Sequence, residues 1–597
     1  MATEVLHKEQ QVLKGGEFVV RDARPEDTFI PEEINEEQQM IQQTVRDFVA
    51  QVGDKGGKLE YQPQLLEQAG ELGLVGAHIP EEYGGMGLDT NTNTVLGEAL
   101  GHIGGGFTTT FAAHIGIGML PIYYFGTEEQ KKKYLPKLAT GEWKASYCLT
   151  EPGSGSDALA AKTRADLSED GKHYILNGQK MWISNAGFAD IFIVFAKVDG
   201  EQFSAFIVPR QSEGLTLGAE EKKMGIKGSS TRQVFFENVK VPVENLLGKI
   251  GKGHKIAFSV LNIGRFKLGL MCSGAGQRCI DISTKYANER IQFGVPISSF
   301  GAIKFKLAEQ AIRNFALQSA VYRVSDLLQD KTYKLMEKGM SHSDAQQHAA
   351  EEYSIESAII KVAGSEVLDY LVDEMVQIHG GYGYSEEYPA AEAYRDARIN
   401  RIYEGTNEIN RLLIVKQLLK KAMKGQLDLT GPAWAVQKEL ASMPSFEQPS
   451  GTYGYERKAI KDFKKIILMV AGAAAKMQMD GQLDLTEEQE IVMNVADMLI
   501  DVYIAESLLL RVEKLHSRTE KPLDQAVYDA MLKVYFTDTQ ARIHKAASDA
   551  LMSFAEGDLL KTFLMGLKRF TKYPPVNVKN ERRKVAQALI QANGYCF

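Results

Sequence analysis

One carboxylate of this sequence stands where a helical stretch gives way to the next. Residues 401–408 read RIYEGTNE, and the residues after Gly405 have the character of a helix start. A side chain at such a junction can project into a cleft, and burial in an apolar cleft raises the pKa of a carboxylate and makes it a stronger base. Glu404 is therefore a candidate general base, although a solvated surface glutamate explains this motif equally well when it is taken alone.

Two segments upstream have the composition of a site for a flat polar ring. Residues 147–157 concentrate hydroxyls, glycines and free backbone N–H groups, which suit a polar heterocycle and a phosphate. Trp182 and Ser184 follow a strand-like stretch, so the indole can stack on an aromatic ring while the hydroxyl donates to it. Taken singly, an ordinary polar connection and a core tryptophan are the simpler interpretations.

Two further segments suit an anionic ligand. Arg290 ends a long helical pattern, and its guanidinium fork matches a pyrophosphate, although it equally complements a helix macrodipole. Residues 377–383 contain paired glycines, which let the backbone approach a ligand closely or simply end a helix. We assign no catalytic role to His379 within that segment.

These five segments, in this order, resemble the signature segments of the acyl-CoA dehydrogenase family over roughly residues 35–420. Residues 224–231 and 236–242 resemble strands of the same family. The resemblance implies FAD as cofactor, acyl-CoA as substrate, and a flavin held where a helical domain, a β domain and a helical bundle meet. Other branches of the family carry their glutamate beside the arginine that matches Arg265; that neighbour here is Gly264, which favours a straight-chain enzyme with Glu404 as the base.

The resemblance also implies roles for individual residues. Glu404 is the catalytic residue, and Gly301, which follows Phe300, departs from the glutamine common in the family. The substrate-binding residues are Ser156, Asn262, Arg265 and Gly405. The cofactor-binding residues are Tyr147, Cys148, Leu149, Thr150, Ser156, Trp182, Ile183, Ser184, Arg290, Gln292, Phe293, Phe300, Gln377, Gly380, Gly381, Thr406 and Glu408, with Gln377 to Gly381 acting on the FAD of a neighbouring subunit.

The implied reaction is α,β-dehydrogenation of an acyl-CoA to a trans-2-enoyl-CoA in fatty-acid β-oxidation. By family analogy, the backbone N–H of Glu404 and a flavin ribityl hydroxyl bind the thioester oxygen, the β-hydrogen passes as hydride to flavin N5, and electrons go to an electron-transferring flavoprotein. Residues 108–118 are expected at the far end of the acyl tunnel. The small Ala112 and Ala113 and the glycines at 104–106 leave room for a long chain, or else only allow close helix packing.

The region from about residue 430 to 597 resembles the extension of very-long-chain members, which are dimers that associate with membranes. A homodimer with a peripheral membrane contact through this extension is therefore expected. Lys461, Lys464 and Lys465 beside residues 466–468 suit a helix at a membrane interface, and a buried core helix is the alternative. Two other functions stay open, namely an acyl-CoA oxidase and a flavoprotein that serves as an assembly or binding partner with little catalysis.

The elements that must position these residues follow from the sequence texture. We predict a mainly α fold with a central antiparallel β domain: a helical N-terminal domain, a β-barrel-like middle, a four-helix bundle, and a C-terminal helical domain. The boundaries are an arm at 1–34, the N-terminal helical domain at 35–145, the β domain at 146–250, the bundle domain at 251–425, a linker at 426–456 and the helical extension at 457–597.

Composition excludes several other classes of protein. The 69 basic and 77 acidic residues give a formal net charge of −8, so a broad nucleic-acid surface is not expected. The four cysteines form no C-x-x-C pair, so no metal site is expected. Neither a P-loop nor a Rossmann glycine motif occurs, so a nucleotide cofactor must be held in another way. The first 30 residues lack signal-peptide and transit-peptide character, and no run of 18 apolar residues occurs, which favours a bacterial cytoplasmic protein.

Overall fold

The computed structural model describes residues 12–443 and 448–597, so residues 1–11 of the predicted arm and 444–447 of the predicted linker lie outside the described residues. The N-terminal helices are α1 Glu36–Val52, α2 Gln62–Glu71, α3 Thr90–Leu100, α4 Gly105–Ala112, α5 Leu120–Phe125 and α6 Glu128–Ala139, with a π-helical turn Ala113–Gly118 between α4 and α5. The strands that follow are β1 Ala145–Cys148, β2 Arg164–Leu167, β3 His173–Ser184, β4 Ile191–Val198, β5 Gln202–Pro209, β6 Leu215–Leu217, β7 Thr231–Pro242 and β8 Leu246–Leu247.

The rest of the described chain is almost wholly helical. Its first part contains α7 Gly253–Glu289, the hairpin strands β9 Ile291–Gln292 and β10 Val295–Pro296, α8 Gly301–Met336, α9 His342–Glu352, α10 Ser354–His379, α11 Pro389–Ala397 and α12 Asn407–Met423. Its second part contains α13 Thr430–Leu440, α14 Gly454–Met479, α15 Gln489–Ser517, α16 Gln525–Phe554, α17 Gly557–Phe570 and α18 Val578–Ala592. The predicted fold class is confirmed.

The entry into α1 is set by the sequence locally. The Asn35 side chain accepts a hydrogen bond from the Gln38 backbone N–H at 2.9 Å, and the Gln38 side chain accepts one from the Asn35 backbone N–H at 3.0 Å. The sequence Asn35-Glu36-Glu37-Gln38 predicts a capping box, and this reciprocal pair is that capping box. Val45, Phe48 and Val52 then point from α1 into the N-terminal core.

The central sheet is mixed, which corrects the prediction of an antiparallel one. Its order is β6-β7-β3-β2-β4-β5-β8, with β1 also pairing with β4. The long strand pairs β3–β7 and β4–β5 are antiparallel, but both β1 and β2 run parallel to β4. Composition predicts strands well, whereas parallel pairing joins segments far apart in sequence and depends on the tertiary path of the chain.

α7 and α10 form the centre of the bundle because small residues let their backbones meet. A Cβ at Gly364 would lie 2.7 Å from Cα of Gly269, and a Cβ at Gly269 would lie 2.4 Å from the carbonyl oxygen of Ile360. By length and composition alone, α7 is a helix of membrane-spanning character in the described chain. It lies between α3, α8 and α10, which is the usual setting of an apolar core helix.

The C-terminal extension differs from its prediction in three local features. α13 lies within the segment that we predicted as an irregular linker. The sequence Thr486-x-x-Gln489 predicts a helix start capped by Thr486, but α15 begins at Gln489 with Glu488 as its N-cap, and the Thr486 hydroxyl donates to Asp484. The apolar side chains of α14 at 466–468 are buried, and Lys464 and Lys465 form ion pairs with Glu506 and Glu439, so α14 is a core helix and not a membrane-facing one.

The described part of the N-terminal arm is joined to this extension by an ion pair, hydrogen bonds and a ring contact. The Glu32 carboxylate pairs with the Arg511 guanidinium at 2.6 Å, and both side chains are buried. Lys514 Nζ donates to the Thr28 carbonyl oxygen at 2.6 Å, and Lys464 Nζ to that of Arg21 at 2.8 Å. Phe18 of the arm packs edge-on against Tyr503 of α15, with ring centroids 4.9 Å apart. Residues 17–34 of the arm are therefore packed as part of the C-terminal core.

Candidate active site

Glu404 lies on a strained turn immediately before α12. Its φ is +58° and that of Gly405 is +79°, so a glutamate occupies the left-handed region that non-glycine residues rarely adopt. Lys361 Nζ donates to the Gly405 carbonyl oxygen at 2.7 Å, and Asn410 Nδ2 donates to the same oxygen at 2.8 Å. These two donors hold the turn and fix the direction of the Glu404 side chain.

The carboxylate of Glu404 is buried without a matching donor. Its Oε2 atom has no hydrogen-bond partner among the described residues. Burial raises its pKa from 4.5 to about 7, and the nearby charges of Arg265 and Lys361 oppose that rise only in part. A carboxylate with a pKa near neutrality is well matched to proton abstraction at physiological pH.

Gly264 of α7 makes room for this carboxylate. A Cβ at Gly264 would lie 2.7 Å from Oε2 of Glu404, so any larger residue there would displace the side chain. Arg265 is next along α7; its Nε donates to the Glu404 carbonyl oxygen at 3.4 Å and its Nη1 to Asn262 Oδ1 at 3.0 Å. Arg265 is buried, so it positions the Glu404 turn, while its predicted contact with substrate stays a prediction.

Trp182 and Ser184 stand on the sheet side of the same region. Pairing between β3 and β7 shifts register between Lys180 and Ile183, which takes Trp182 out of the ladder with a φ of +60°. The residue is 53% exposed although it lies within β3. An exposed, strained tryptophan fits a ring-stacking role better than a core role. Ser184 lines the cavity that also contains Glu404.

Contacts from β3 fix the loop that follows β1. Lys180 Nζ donates to the Leu149 carbonyl oxygen at 3.2 Å and pairs with Glu151 at 2.7 Å, both side chains being buried. The Met181 backbone N–H donates to the Thr150 carbonyl oxygen at 2.9 Å. Ser156, at the end of the loop, is exposed. The loop therefore presents its outer edge beside Trp182 on a fixed base.

The predicted β-domain contacts differ in what their side chains can reach. Cys148 and Ile183 are buried in the core of the sheet, so only their backbone atoms can face a ligand. Leu149 and Tyr147 are also buried, but the Tyr147 hydroxyl has no partner in the described chain and lies near enough to Glu404 for the two charges to interact. Tyr147 thus belongs to the Glu404 surroundings.

A second group of predicted residues forms a separate exposed surface. Arg290 ends α7 with its guanidinium 5.5 Å from the centre of the Tyr382 ring, and Phe293, in the β9–β10 turn, is 94% exposed. The exposed members of this surface are Arg290, Gln292, Phe293, Gln377, Gly380 and Gly381. Phe300 lies beneath it, 6.0 Å from Phe293 between ring centroids. These residues lie together, and none of them lines the cavity that contains Glu404.

Two predicted residues follow Glu404 on α12. The Thr406 hydroxyl accepts a hydrogen bond from the Ile409 backbone N–H at 3.2 Å and so caps the helix. Glu408 is exposed in the first turn, and hydrogen bonds from the helix N-terminus hold its pKa below the usual value. Both therefore stabilise the start of α12, which follows the Glu404 turn, whatever ligand they contact.

A long cavity begins at Glu404. It has a volume of about 580 Å³ and is lined by Gly264 and Ser184 at the Glu404 end. From there it follows α7 to Ile282, a distance of about 27 Å at the rise of an α-helix. Its walls include Thr108, Thr109, Ala112, Ala113, Gly116, Ile117, Leu268, Met271, Cys272, Ala275, Leu368, Val372 and Met375. Part of the 108–118 segment therefore lines this cavity, and its place at the far end of an acyl tunnel stays a prediction.

Sequence reasoning missed Lys361 and Asn410, the two donors that hold the Glu404 turn. Lys361 is a lone cation within the apolar run of α10, and its side chain is buried. A buried lysine must find acceptors, so an isolated charge in an apolar helix was the available clue. His379, which we left without a role, stacks on Tyr286 with ring centroids 4.0 Å apart.

Family models for acyl-CoA dehydrogenases match four parts of the chain: the N-terminal domain at residues 35–142, the middle domain at 146–239, and two C-terminal-domain models at 251–419 and 462–569. A probable acyl-CoA dehydrogenase of Bacillus subtilis is 46% identical over 98% of this chain and 99% of that protein. The human mitochondrial very long-chain specific acyl-CoA dehydrogenase is 42% identical over 65% of this chain, which spans 59% of the human protein.

Solved structures give the same similarity. The crystal structure of an acyl-CoA dehydrogenase complexed with FAD from Bacillus anthracis matches 98% of this chain and 100% of that chain, with a TM-score of 0.94 and 46% identity. The butyryl-CoA dehydrogenase of Megasphaera elsdenii matches 65% of this chain and 99% of its own, with a TM-score of 0.58 and 36% identity. The first of these two also matches the C-terminal extension; the second stops before it.

Proposed function

Because the chain belongs to the acyl-CoA dehydrogenase family, we propose that it carries out FAD-dependent α,β-dehydrogenation of long-chain acyl-CoA to trans-2-enoyl-CoA. The observation that carries this proposal is the buried, unpartnered Glu404 carboxylate at one end of a cavity about 580 Å³ in volume. No metal-binding group of histidine, cysteine or carboxylate residues occurs in the described ranges, and the proposal needs none.

Glu404 acts as the base. Its carboxylate takes the proton from the carbon next to the thioester carbonyl, which is a weak acid and needs a base of matched pKa. Burial supplies that match by raising the Glu404 pKa to about 7. Arg265 and Lys361 hold the turn in place without a direct hydrogen bond to the carboxylate, so its basicity is retained.

FAD fits the residues on the sheet side. The exposed, strained Trp182 and the rigid loop 149–157 offer a stacking surface and backbone donors for a flavin ring, and Ser184 faces the Glu404 cavity. Arg290 and the residues around Gly380 offer a cation and an open backbone for a pyrophosphate. When bound, FAD supplies the acceptor for the hydrogen that leaves the β-carbon.

Long-chain preference rests on the shape of the cavity. The cavity is lined by the small residues Ala112, Ala113 and Gly116, which leave open space where a larger side chain would block the cavity. The cavity follows α7 from Gly264 to Ala275 over about 17 Å, which leaves room for an extended fatty-acyl chain. Charged side chains, among them Arg278, Glu386 and Glu392, line the rest of the cavity.

We propose that the protein acts in fatty-acid β-oxidation as a homodimer that passes electrons to an electron-transferring flavoprotein. The dimer proposal is supported by the exposed surface around Arg290 and Phe293, since these residues match the family's cofactor positions yet lie away from the Glu404 cavity. A flavin bound by one subunit would reach this surface on its neighbour.

The cytoplasm is the proposed location, with the extension in peripheral contact with a membrane. The burial of α14 removes the helix predicted for that contact. The remaining apolar surface of the extension includes Met552, Leu559 and Met565, each more than half exposed. Lys561 and Lys568 on the same helix as Leu559 suit an anionic lipid surface.

The test is anaerobic bleaching of the flavin by a series of acyl-CoA thioesters from about C4 to about C20, in the wild type and in Glu404→Gln. Rapid bleaching by long chains that is lost in the variant supports both the reaction and the base. Equal bleaching by the variant would remove Glu404 from its role. Rapid reoxidation of the bleached protein by air would point to an oxidase, and no bleaching by any chain to a binding partner.

A further inference from the structure

A second, smaller chamber adjoins the acyl cavity. It has a volume of about 80 Å³ and lies between α3, α7 and the π-helical turn. Lys267 and Met271 of α7 line both the acyl cavity and the chamber, so they form the wall where the two meet. Lys267 is one helical turn beyond Gly264, which contacts the Glu404 carboxylate. The chamber is therefore a side branch of the acyl cavity.

Two buried nitrogen atoms of the chamber have no hydrogen-bond partner in the described chain. They are Lys267 Nζ and His78 Nε2. The polar side chains around them already have hydrogen-bond partners. Thr94 is bonded to Ser325, the Tyr124 hydroxyl donates to Gln346, and Asn93 donates to the Leu88 carbonyl oxygen. No carboxylate is among the described residues that line the chamber. An amine buried without an acceptor is costly to the fold, so its retention in a chamber that opens towards a ligand calls for a binding role.

The two nitrogens complement an oxygen-bearing group. The Lys267 ammonium offers up to three N–H donors. A hydrogen bond from His78 to the Ile115 backbone engages one ring nitrogen, which leaves Nε2 as the free nitrogen of the ring. Both residues line the chamber, and both of these nitrogens are buried. A carboxylate would pair with Lys267, and a hydroxyl would accept from Lys267 while donating to Nε2.

We propose that this chamber binds the oxygenated end of an ω-oxidised acyl-CoA, in which Lys267 recognises a terminal carboxylate or hydroxyl of the chain. The inference rests on the proposed function, since it assigns a second substrate class to the same Glu404 site. Plain chains run along the apolar stripe of α7, whereas short chains that end in oxygen reach the chamber, because Lys267 lies only one helical turn from the Gly264 position beside Glu404. Lys267 is thus a specificity-determining residue and takes no part in the bond-breaking step.

Protonation of Lys267 adds a dependence on pH. Burial lowers its pKa to about 8. The titratable groups that face this end of the molecule are His78 in the chamber, and His114 and His342 around His78, whose pKa values burial lowers. The Tyr124 hydroxyl stays protonated because burial raises its pKa. In the free enzyme, recognition of a carboxylate is then present below about pH 8 and lost as the pH rises through that value.

The experiment uses the FAD-bound enzyme and CoA thioesters of equal length that end in methyl, hydroxyl or carboxylate, from about C6 to about C16. The readout is kcat/KM for anaerobic flavin bleaching in the wild type and in Lys267→Met. We expect the ratio of oxygenated to methyl-ended substrates to fall about tenfold or more in the variant. Lys267→Gln, which keeps a donor without the charge, should restore the hydroxyl substrate more than the carboxylate.

Lys476→Met is the matched control, because Lys476 is exposed on α14 and lies outside both cavities. The proposal is overturned if Lys267→Met and Lys476→Met give the same substrate ratio, or if Lys267→Met lowers kcat/KM for all three end groups equally. If methyl-ended chains bleach the flavin and the ratio of oxygenated to methyl-ended substrates is unchanged in Lys267→Met, this inference alone is refuted. Absence of bleaching by every thioester would sink the proposed function together with it.

Discussion

Replacement of Glu404 by glutamine should stop turnover and stabilise the fold. In the folded enzyme burial raises the Glu404 pKa from 4.5 to about 7, which corresponds to about 3 kcal/mol against the charged form. Glutamine keeps the shape of the side chain and removes its charge. The same substitution therefore removes the base and relieves the cost of burying it, and the two effects have opposite signs.

The pH at which the gain in stability appears follows from linkage. The folded state holds its proton up to about pH 7, whereas the unfolded carboxyl loses it near 4.5. Ionisation of Glu404 therefore costs the fold nothing below about pH 4.5, costs more as the pH rises towards 7, and costs its full amount above. The variant should exceed the wild type by up to about 3 kcal/mol at pH 8 and by little near pH 4.5.

Denaturant unfolding of the FAD-bound wild type and variant at both pH values measures this difference. Glu337→Gln, at an exposed glutamate after α8, is the matched control and should show no such pH-dependent gain. A variant no more stable than the wild type at pH 8, or equally stabilised at both pH values, would refute the claim that Glu404 is held in a site that disfavours its charge. Bleaching assays on the same samples confirm that turnover is lost.

Three further predictions concern the same cavity. Because Glu404 titrates near pH 7, kcat/KM for flavin bleaching by a plain long-chain acyl-CoA should fall about tenfold per pH unit below that value; a flat profile from pH 5 to 8 would contradict it. Gly264→Ala would place a Cβ 2.7 Å from Glu404 Oε2 and should lower the bleaching rate about a hundredfold or more with FAD still bound. Gly472→Ala on α14, where a Cβ would make only an ordinary contact with Ala433 at 3.4 Å, is the helical control for a general effect of alanine on the protein. Ala113→Phe should fill the cavity beyond Glu404 and move the optimum of the acyl-CoA series to shorter chains, and an unchanged optimum would show that the chains take another path.

The sequence predicted features that depend on local chemistry. The capping box at Asn35 and the position of Glu404 between two helices can be read from a few neighbouring residues, and the structure has both. The order of helical, β and helical regions is equally local, because it follows from the change of hydrophobic period.

Features that depend on distant residues escaped prediction. The parallel pairing of β1 with β4 joins segments 46 residues apart, and no composition records it. Lys361 holds the Glu404 turn from a helix that begins 50 residues earlier. The raised pKa of Glu404 likewise results from the packing of α7 and β1 around it. Such effects arise only when the chain has folded, so local patterns carry no trace of them.

The contacts between the arm and the extension have a consequence for the synthesis of the protein. Glu32 and Arg511 are 479 residues apart, and translation at about 5 to 20 residues per second separates their appearance by about 25 to 95 s. Throughout that interval Phe18, Val19 and Ile30, which are almost fully buried in the finished protein, have no extension to pack against. These apolar residues therefore stay without their partners until α15 has been synthesised, and the contacts of the described arm with α15 can form only after that point.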